Sequence, residues 1–280
     1  MKLISVYATS GNVGRRSIAV TMANQAARSG NQTLLVELDY IKPSVALTLG
    51  ITHPTKNSLL YFERALNDNF FNVDEFIMKH TEIQSTQKDL SKVHQSYDKK
   101  LDYLIFPIDY DNSMFPRLTQ QNAENLTERA QFIVQQFISN IHALNYDVVI
   151  FILPNDKEDI FSVPVILESD HIVNVIGPSL TRFSETKKLV GLFEKFNQEK
   201  WIHILNMASS KLVDPSDYKL ALEPVGLQHV IPFEEQRLYN DLNAEIGAPI
   251  MKEKVKDILK DCGLEADEKG KQRTFKFLGR

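Results

Sequence analysis

The sequence predicts an α/β fold: a mostly parallel sheet of about seven strands with helices on both faces, in a Rossmann-like three-layer arrangement. Three observations predict it. The apolar runs are short, continuous and bounded by turn residues, as strands buried on both faces require. They alternate with stretches of helical spacing, the pattern of strand–helix–strand crossovers. The first strand also runs into a glycine-containing loop that opens a helix, and open α/β sheets bind ligands at such a place, the carboxyl ends of their strands.

Taken in order, residues 3–8 form a first buried strand. Residues 18–29 form a helix with Ile18, Ala19, Met22 and Ala26 on one face, ended by Gly30. A second strand covers 33–38, a short helix 43–49, and Gly50 stops it. Residues 59–66 and 73–79 have the spacing of short helices, and the polar stretch 81–100 is a loop or insertion. The third strand is 101–108, closed by Pro107. Leu126, Ala130, Ile133, Phe137 and Ile141 mark a long helix over 122–144. Strands follow at 148–153, 171–176, 201–206 and 227–231, with helices at 179–196 and 248–259. No internal repeat or low-complexity linker interrupts the pattern, so the expected organisation is one domain over 1–265 and a basic tail over 266–280.

Composition narrows the function classes. The 280 residues are 43% hydrophobic and 24% charged, as in a soluble globular protein with a sizeable core. The net charge of −4 argues against a protein that coats nucleic acid through bulk charge. Cys262 is the sole cysteine, so an intrachain disulfide and a cysteine metal site are excluded. A reducing cytoplasm is the expected compartment. Met1-Lys2-Leu3 runs directly into a strand without the apolar core of a secretory leader, and no apolar run is long enough to span a bilayer.

The stretch 7–17 reads Y-A-T-S-G-N-V-G-R-R-S. Strand, loop and helix N-terminus in that order form a phosphate cradle, because loop N–H groups and the helix dipole both point at an anion. An ordinary phosphate loop places Gly-Lys-Ser/Thr there and a glycine five residues earlier. This one has Gly14-Arg15-Arg16-Ser17, with Thr9 at the earlier position. The histidines are scattered and no G-x-S-x-G elbow occurs, so zinc and serine-hydrolase chemistry are not expected. Asp109-Tyr110-Asp111-Asn112 fits a polar turn after the third strand better than a metal cluster.

Residues 7–23 resemble the deviant phosphate loop and first helix of the MinD/ParA family of ATPases, whose loop reads roughly K-G-G-V-G-K-T-T. In that alignment Ser10 falls on the lysine that reaches across a dimer to the partner's nucleotide. Gly11, Val13 and Gly14 match, and Asn12 replaces the second glycine. Arg15 falls on the phosphate-binding lysine, Arg16 on the threonine that ligates Mg²⁺, and Ser17 on the following threonine. The resemblance continues in order along the chain. L-L-V-E-L-D puts Glu37 and Asp39 on the two aspartates of the second strand. V-V-I-F-I-L-P-N puts Ile152 on a metal-associated aspartate. Ile204-Leu205-Asn206 matches the strand whose asparagine reads adenine, and Val230-Ile231-Pro232-Phe233 the turn beside the base. The segment D-Y-I-K-P-S-V-A-L-T-L-G is most similar to the CpaE/TadZ pilus-assembly group.

The resemblance implies a P-loop nucleotide fold binding ATP or ADP through Gly11, Asn12, Val13, Gly14, Arg15, Arg16, Ser17, Asn206 and Pro232. The departures imply a degenerate site. Arg16 and Ile152 have no acceptor for Mg²⁺, which takes oxygen ligands, so Mg²⁺ is not expected to be well held. Arg15 keeps a planar fork for phosphate, so weak nucleotide binding is expected to survive. Ser10 carries no charge for phosphoryl transfer, and Asp39 is the one catalytic candidate, as a water-orienting carboxylate. Arg15 and Arg16 also read as a solvated helix start, Asp39 as a helix-capping or loop carboxylate before Pro43, and Asn206 as a strand-end turn residue.

The tail interleaves Lys271, Arg273, Lys276 and Arg280 with Phe275, Phe277 and Leu278. As a helix it would lay aromatics into an anionic bilayer surface, similar to MinD's membrane-targeting tail, whereas as a frayed basic terminus or a last strand docked on the body it would not. The expected function is that of a non-hydrolysing or weakly hydrolysing localisation or assembly factor, a homodimer serving a Tad-type pilus or another envelope machine at the inner face of the membrane. An unconventional ATPase using Arg15 and Asp39, in membrane cycling or DNA partition, is the alternative, with DNA disfavoured by the acidic charge.

Overall fold

A computed structural model of the chain describes residues 1–51, 55–83, 97–116, 125–193, 198–209, 214–223 and 225–266. Seven parallel strands form one sheet in the order β3-β2-β4-β1-β5-β6-β7. They are β1 Lys2–Tyr7, β2 Thr33–Glu37, β3 Leu101–Leu104, β4 Val148–Ile152, β5 His171–Ile176, β6 Trp201–Ala208 and β7 His229–Pro232. The helices are α1 Arg15–Arg28, α2 Val45–Leu49, α3 Ser58–Asn67, α4 Leu126–His142, α5 Ser162–Glu168, α6 Leu180–Phe193, α7 Pro215–Ala221, α8 Gln236–Leu242 and α9 Pro249–Asp261.

Alternation along the central strands sorts side chains onto the two faces. Ile4 and Val6 of β1 and Val148, Ile150 and Ile152 of β4 join a core with Ile18 and Met22 of α1 and Met251, Val255 and Ile258 of α9. Leu3 and Tyr7, with Val149 and Phe151, join the opposite core, where Phe62 of α3, Phe137 of α4 and Val165 of α5 pack. β1 lies at the centre, so the loop after it emerges over the middle of the sheet's carboxyl edge.

Local chemistry explains the boundaries. α1 starts at Arg15, three residues before the expected start, because Gly14 at φ 80° hands the chain into the helix. Gly30, at φ 99°, ends it. Asn125 caps α4 by accepting from Thr127 and Glu128 N–H, which sets the start of that helix, and residues 122–124 lie outside the described ones. The expected helix over 73–79 is instead a 3-10 turn, Val73–Phe76, after which Met78 bridges antiparallel to Tyr103. Apolar spacing there reflects two different local structures. The third strand stops at Leu104 rather than 108. Three short helices, α5, α7 and α8, were not foreseen. α7 carried a readable start, since Asp214 accepts from Ser216 N–H and Pro215 takes the first turn. Asp111 caps the turn Asn112–Met114, as expected of a polar turn. Residues 84–96 of the expected insertion, and the end of the helix expected over 179–196, lie outside the described residues.

Candidate functional site

The loop between β1 and α1 keeps the shape of a cradle. Asn12, which stands where the resembled family has glycine, sits at φ 59° in the left-handed region that asparagine tolerates. Gly14 follows at φ 80°, and a Cβ there would meet Asn206 Nδ2 at 2.3 Å. The backbone therefore needs glycine both for its dihedral and for its neighbour. α1 begins directly after it with no side chain capping its first turn, so the N–H groups of that turn keep their demand for an acceptor.

Over the loop lies a cavity of about 340 Å³ lined by the loop residues and by Asp39, Lys42, Asn155 and Arg237. It brings together, from separate strands, the residues that sequence reasoning selected: Ser10, Gly11, Asn12, Val13, Gly14, Arg15, Arg16, Ser17 and Asp39 line it directly. Asn206 does not line it but is fully buried and bonded to the lining residues Val13 and Arg237, and Pro232 ends β7 beside Phe233, which is in the lining. The tail residues Lys271, Arg273, Phe275, Lys276, Phe277 and Leu278 lie outside the described residues.

Arg15 is not a solvated helix start; it is 6% exposed. Its guanidinium is ion-paired with Asp39 at the end of β2 and donates to Asn155 Oδ1 after β4. Burial pushes the Arg15 pKa down, and Asp39 opposes that shift. Tyr7 donates to the Asn155 carbonyl at 2.9 Å, so Asn155 joins β1, β4 and α1 at one point. The Arg15 Nε is buried without a hydrogen-bond partner. Asp39 also accepts weakly from Lys42 N–H at 3.4 Å, so it is both ion-pair partner and loop carboxylate.

Glu37 is fully buried and accepts backbone N–H groups of Ser44 at 2.9 Å, Val45 at 3.1 Å and Phe106 at 3.4 Å. Burial raises its pKa to about 7, against those hydrogen bonds and the nearby Arg16 charge. Ile152 is fully buried in the α1 and α9 core. Mg²⁺ does not fit this donor set. The positions at Arg16 and Ile152 offer no oxygen, Asp39 is neutralised by Arg15, and Glu37 is occupied by the backbone. Hydroxyls of Ser10, Ser17, Ser44 and Thr48 remain in the lining, with no uncommitted carboxylate among them. Among the described residues, no group of three or more acidic, histidine or cysteine side chains is placed to hold a metal.

On the far side of the loop, Asn206 is held at both ends of its amide. Its Nδ2 donates to the Val13 carbonyl at 2.7 Å, and its Oδ1 accepts from Arg237 Nη1 at 2.9 Å. A bulge between Asn206 and Ala208, with Met207 at φ 60°, turns the strand so that Asn206 faces the loop. Arg237 and Asn155 are the residues that sequence reasoning missed. Arg237 follows the I-P-F turn by four positions on a short helix, and only three-dimensional proximity reveals it. Arg182 of α6 approaches the Gly11 carbonyl at 3.4 Å, packed so tightly on Gly177 that a Cβ there would lie 2.1 Å from Nη1.

No family sequence model matches the chain, and no curated protein matches it in sequence. Solved structures do match in fold. A ParA family ATPase from Chlorobium tepidum superposes with a TM-score of 0.65 at 15% identity, over 92% of this chain and 98% of that one. MinD from Pyrococcus horikoshii, complexed with Mg-ADP, gives 0.65 at 14% identity over 94% and 97%. The MinC:MinD complex of Aquifex aeolicus gives 0.61 at 14% identity over 93% and 96%. The seven-stranded parallel sheet with its helices is thus the fold of the MinD/ParA P-loop ATPases. Among the described residues no helix is long and apolar enough to cross a membrane.

Proposed function

We propose that this chain is a MinD/ParA-type protein that keeps the nucleotide cradle and has given up efficient hydrolysis, acting as a localisation or assembly factor. One observation carries the proposal: the buried ion pair between Arg15 and Asp39. By resemblance, Arg15 stands at the phosphate lysine and Asp39 at the water-orienting aspartate. Here each side chain neutralises the other. The carboxylate has a guanidinium where it would need a water, and the guanidinium has a carboxylate where it would need a phosphate. Ser10 adds no charge from across a dimer, and transition-state charge is what such sites must stabilise. The cradle itself, with its left-handed Asn12 and uncapped α1, supports weak binding of ATP or ADP.

Output then passes to surfaces. Phe233 and Leu238 at the cavity rim are 48% and 60% exposed, and Leu242, one turn further along α8, is 86% exposed. Apolar side chains around a ligand site suit a homodimer or protein partner whose docking responds to the ligand. Among the fold's relatives MinD is seen bound to MinC, a protein partner. The sequence likeness to the CpaE/TadZ group favours a Tad-type pilus or another envelope machine, with the basic aromatic tail as a peripheral membrane contact and the body, residues 1–265, as a single domain in the cytoplasm.

The experiment is a steady-state phosphate-release assay with ATP and Mg²⁺ on the full chain. Release at the background rate is expected; turnover of about 1 per minute or faster sinks the proposal, because that rate demands an organised catalytic site.

A further inference from the structure

Positive charge dominates the cavity. Arg15, Arg16, Lys42 and Arg237 line it against a single carboxylate, Asp39. Arg15 and Asp39 cancel one another. Arg16 is half-buried at the first turn of α1, and neither it nor the Lys42 ammonium makes a hydrogen bond or ion pair among the described residues. Arg237 adds its charge from the wall, holding Asn206.

Two further observations point to an anion in this space. The first turn of the 14-residue α1 has no side-chain cap. The Arg15 Nε, on a side chain 94% buried in the cavity wall, has no acceptor. Divalent-cation chemistry has the opposite requirement, a set of oxygen donors with carboxylates, and the carboxylates here are committed to Arg15 and to backbone N–H groups.

Resting on the reading of this cavity as a non-catalytic nucleotide-type site, we propose that it binds a di- or triphosphate group as the metal-free anion, with Arg16 and Lys42 supplying the positive charge that Mg²⁺ supplies in ordinary phosphate-loop sites. A guanidinium presents several N–H donors in a plane and matches phosphate oxygens directly. A chelated Mg²⁺ would instead bring a second cation against Arg16 and withdraw the phosphate charge that Arg16 and Lys42 recognise. Phosphate, more than base, dominates recognition, because the Asn206 amide is fully buried and engaged by Val13 and Arg237.

The test is titration calorimetry of the full chain with ADP, pyrophosphate and adenosine, each in EDTA and in excess Mg²⁺. ADP or pyrophosphate binds in EDTA, and Mg²⁺ weakens that binding. Arg16→Ala lowers the affinity in EDTA by about tenfold to a hundredfold, the loss expected for a hydrogen bond to a charged group. Arg16→Lys retains most of it, and unchanged circular dichroism shows that both variants fold. Comparable affinity for pyrophosphate and ADP supports the proposal with a free phosphate as ligand. Tighter ADP supports it with a nucleotide. Binding that requires Mg²⁺, adenosine binding as well as ADP, no binding of either phosphate compound, or an Arg16→Ala affinity equal to wild type overturns it. Mg²⁺-dependent binding without phosphate release would defeat this proposal and leave the non-catalytic reading intact. Phosphate release together with metal-free binding would do the reverse.

Discussion

Removing Asp39 should expose how much of the fold depends on the pair beneath the loop. In Asp39→Ala, Arg15 stays buried with Asn155 as its remaining hydrogen-bond partner. Arginine has no accessible neutral form, so it cannot relieve the penalty by losing its proton. Breaking a buried pair from one side costs about 3–5 kcal/mol. For a chain of 280 residues, an unfolding entropy near 2.1 cal/mol/K per residue turns that into a fall in Tm of about 5–9 °C. Arg15→Met should cost less, because it leaves no buried cation unpaired and Asp39 keeps its contact with the Lys42 N–H. The double variant Arg15→Met/Asp39→Val should lie within about 1 kcal/mol of wild type, since an apolar pair of similar volume replaces two desolvated charges. Inorganic phosphate adds a second readout. If Asp39→Ala leaves a buried cation facing the cavity, phosphate at a hundred times its Kd should return about 2.7 kcal/mol. Urea denaturation of the four proteins, with and without phosphate, measures all of this. A cost for Asp39→Ala below about 1 kcal/mol, unchanged by phosphate, would show that the pair does not hold this site together.

Gly14→Ala must place a Cβ 2.3 Å from Asn206 Nδ2 at φ 80°, so it should lose about 2 kcal/mol or more and weaken any phosphate binding; denaturant curves on a purified variant check it. Glu37 gives a pH dependence with a definite sign. Its folded pKa of about 7 lies above its ordinary 4.5, so the folded state holds the proton more tightly and stability falls as pH rises from about 4.5 through 7. The shift is worth about 3 kcal/mol, and Glu37→Gln should flatten that part of the stability–pH profile, gaining relative to wild type at pH 8 but not at pH 5; parallel profiles would refute the assignment. Deleting residues 271–280 should reduce co-sedimentation with anionic liposomes while leaving thermal stability unchanged, and equal pelleting would remove the membrane contact from the proposal.

Much of the fold was legible because the sheet strands are buried on both faces. Val148–Ile152 is apolar at every position, as a strand buried on both faces requires, and its place between helical stretches makes it parallel. The phosphate-type loop was legible from order: apolar run, glycines, helix. The short elements were less so. α5 and α8 span seven residues each, too few for a helical period to show, and α8 is held by contacts such as Arg237 on Asn206 that no local pattern predicts. At the site, the types and positions of Arg15, Asp39 and Asn206 were readable, but not their partners. Arg15 and Asp39 are 24 positions apart, and Arg15 and Asn155 are 140 apart. Only the adjacency of β1, β2 and β4 in the sheet makes them neighbours. That adjacency changes the meaning of the two arginines. Arg15 reads in sequence as the residue left to hold phosphate, and in the structure as an internal counter-ion. Arg16 reads as a lost metal ligand and emerges as an uncommitted charge of the cavity.

The most direct test of a cradle kept without its hydrolysis is a single-turnover experiment with the full chain in excess over ATP labelled at the γ-phosphate, in Mg²⁺. Intact ATP is predicted to remain over hours, at the rate of the protein-free control. Conversion to ADP and labelled phosphate within minutes, lost in Asp39→Asn, would contradict it and restore Asp39 as a working catalytic group.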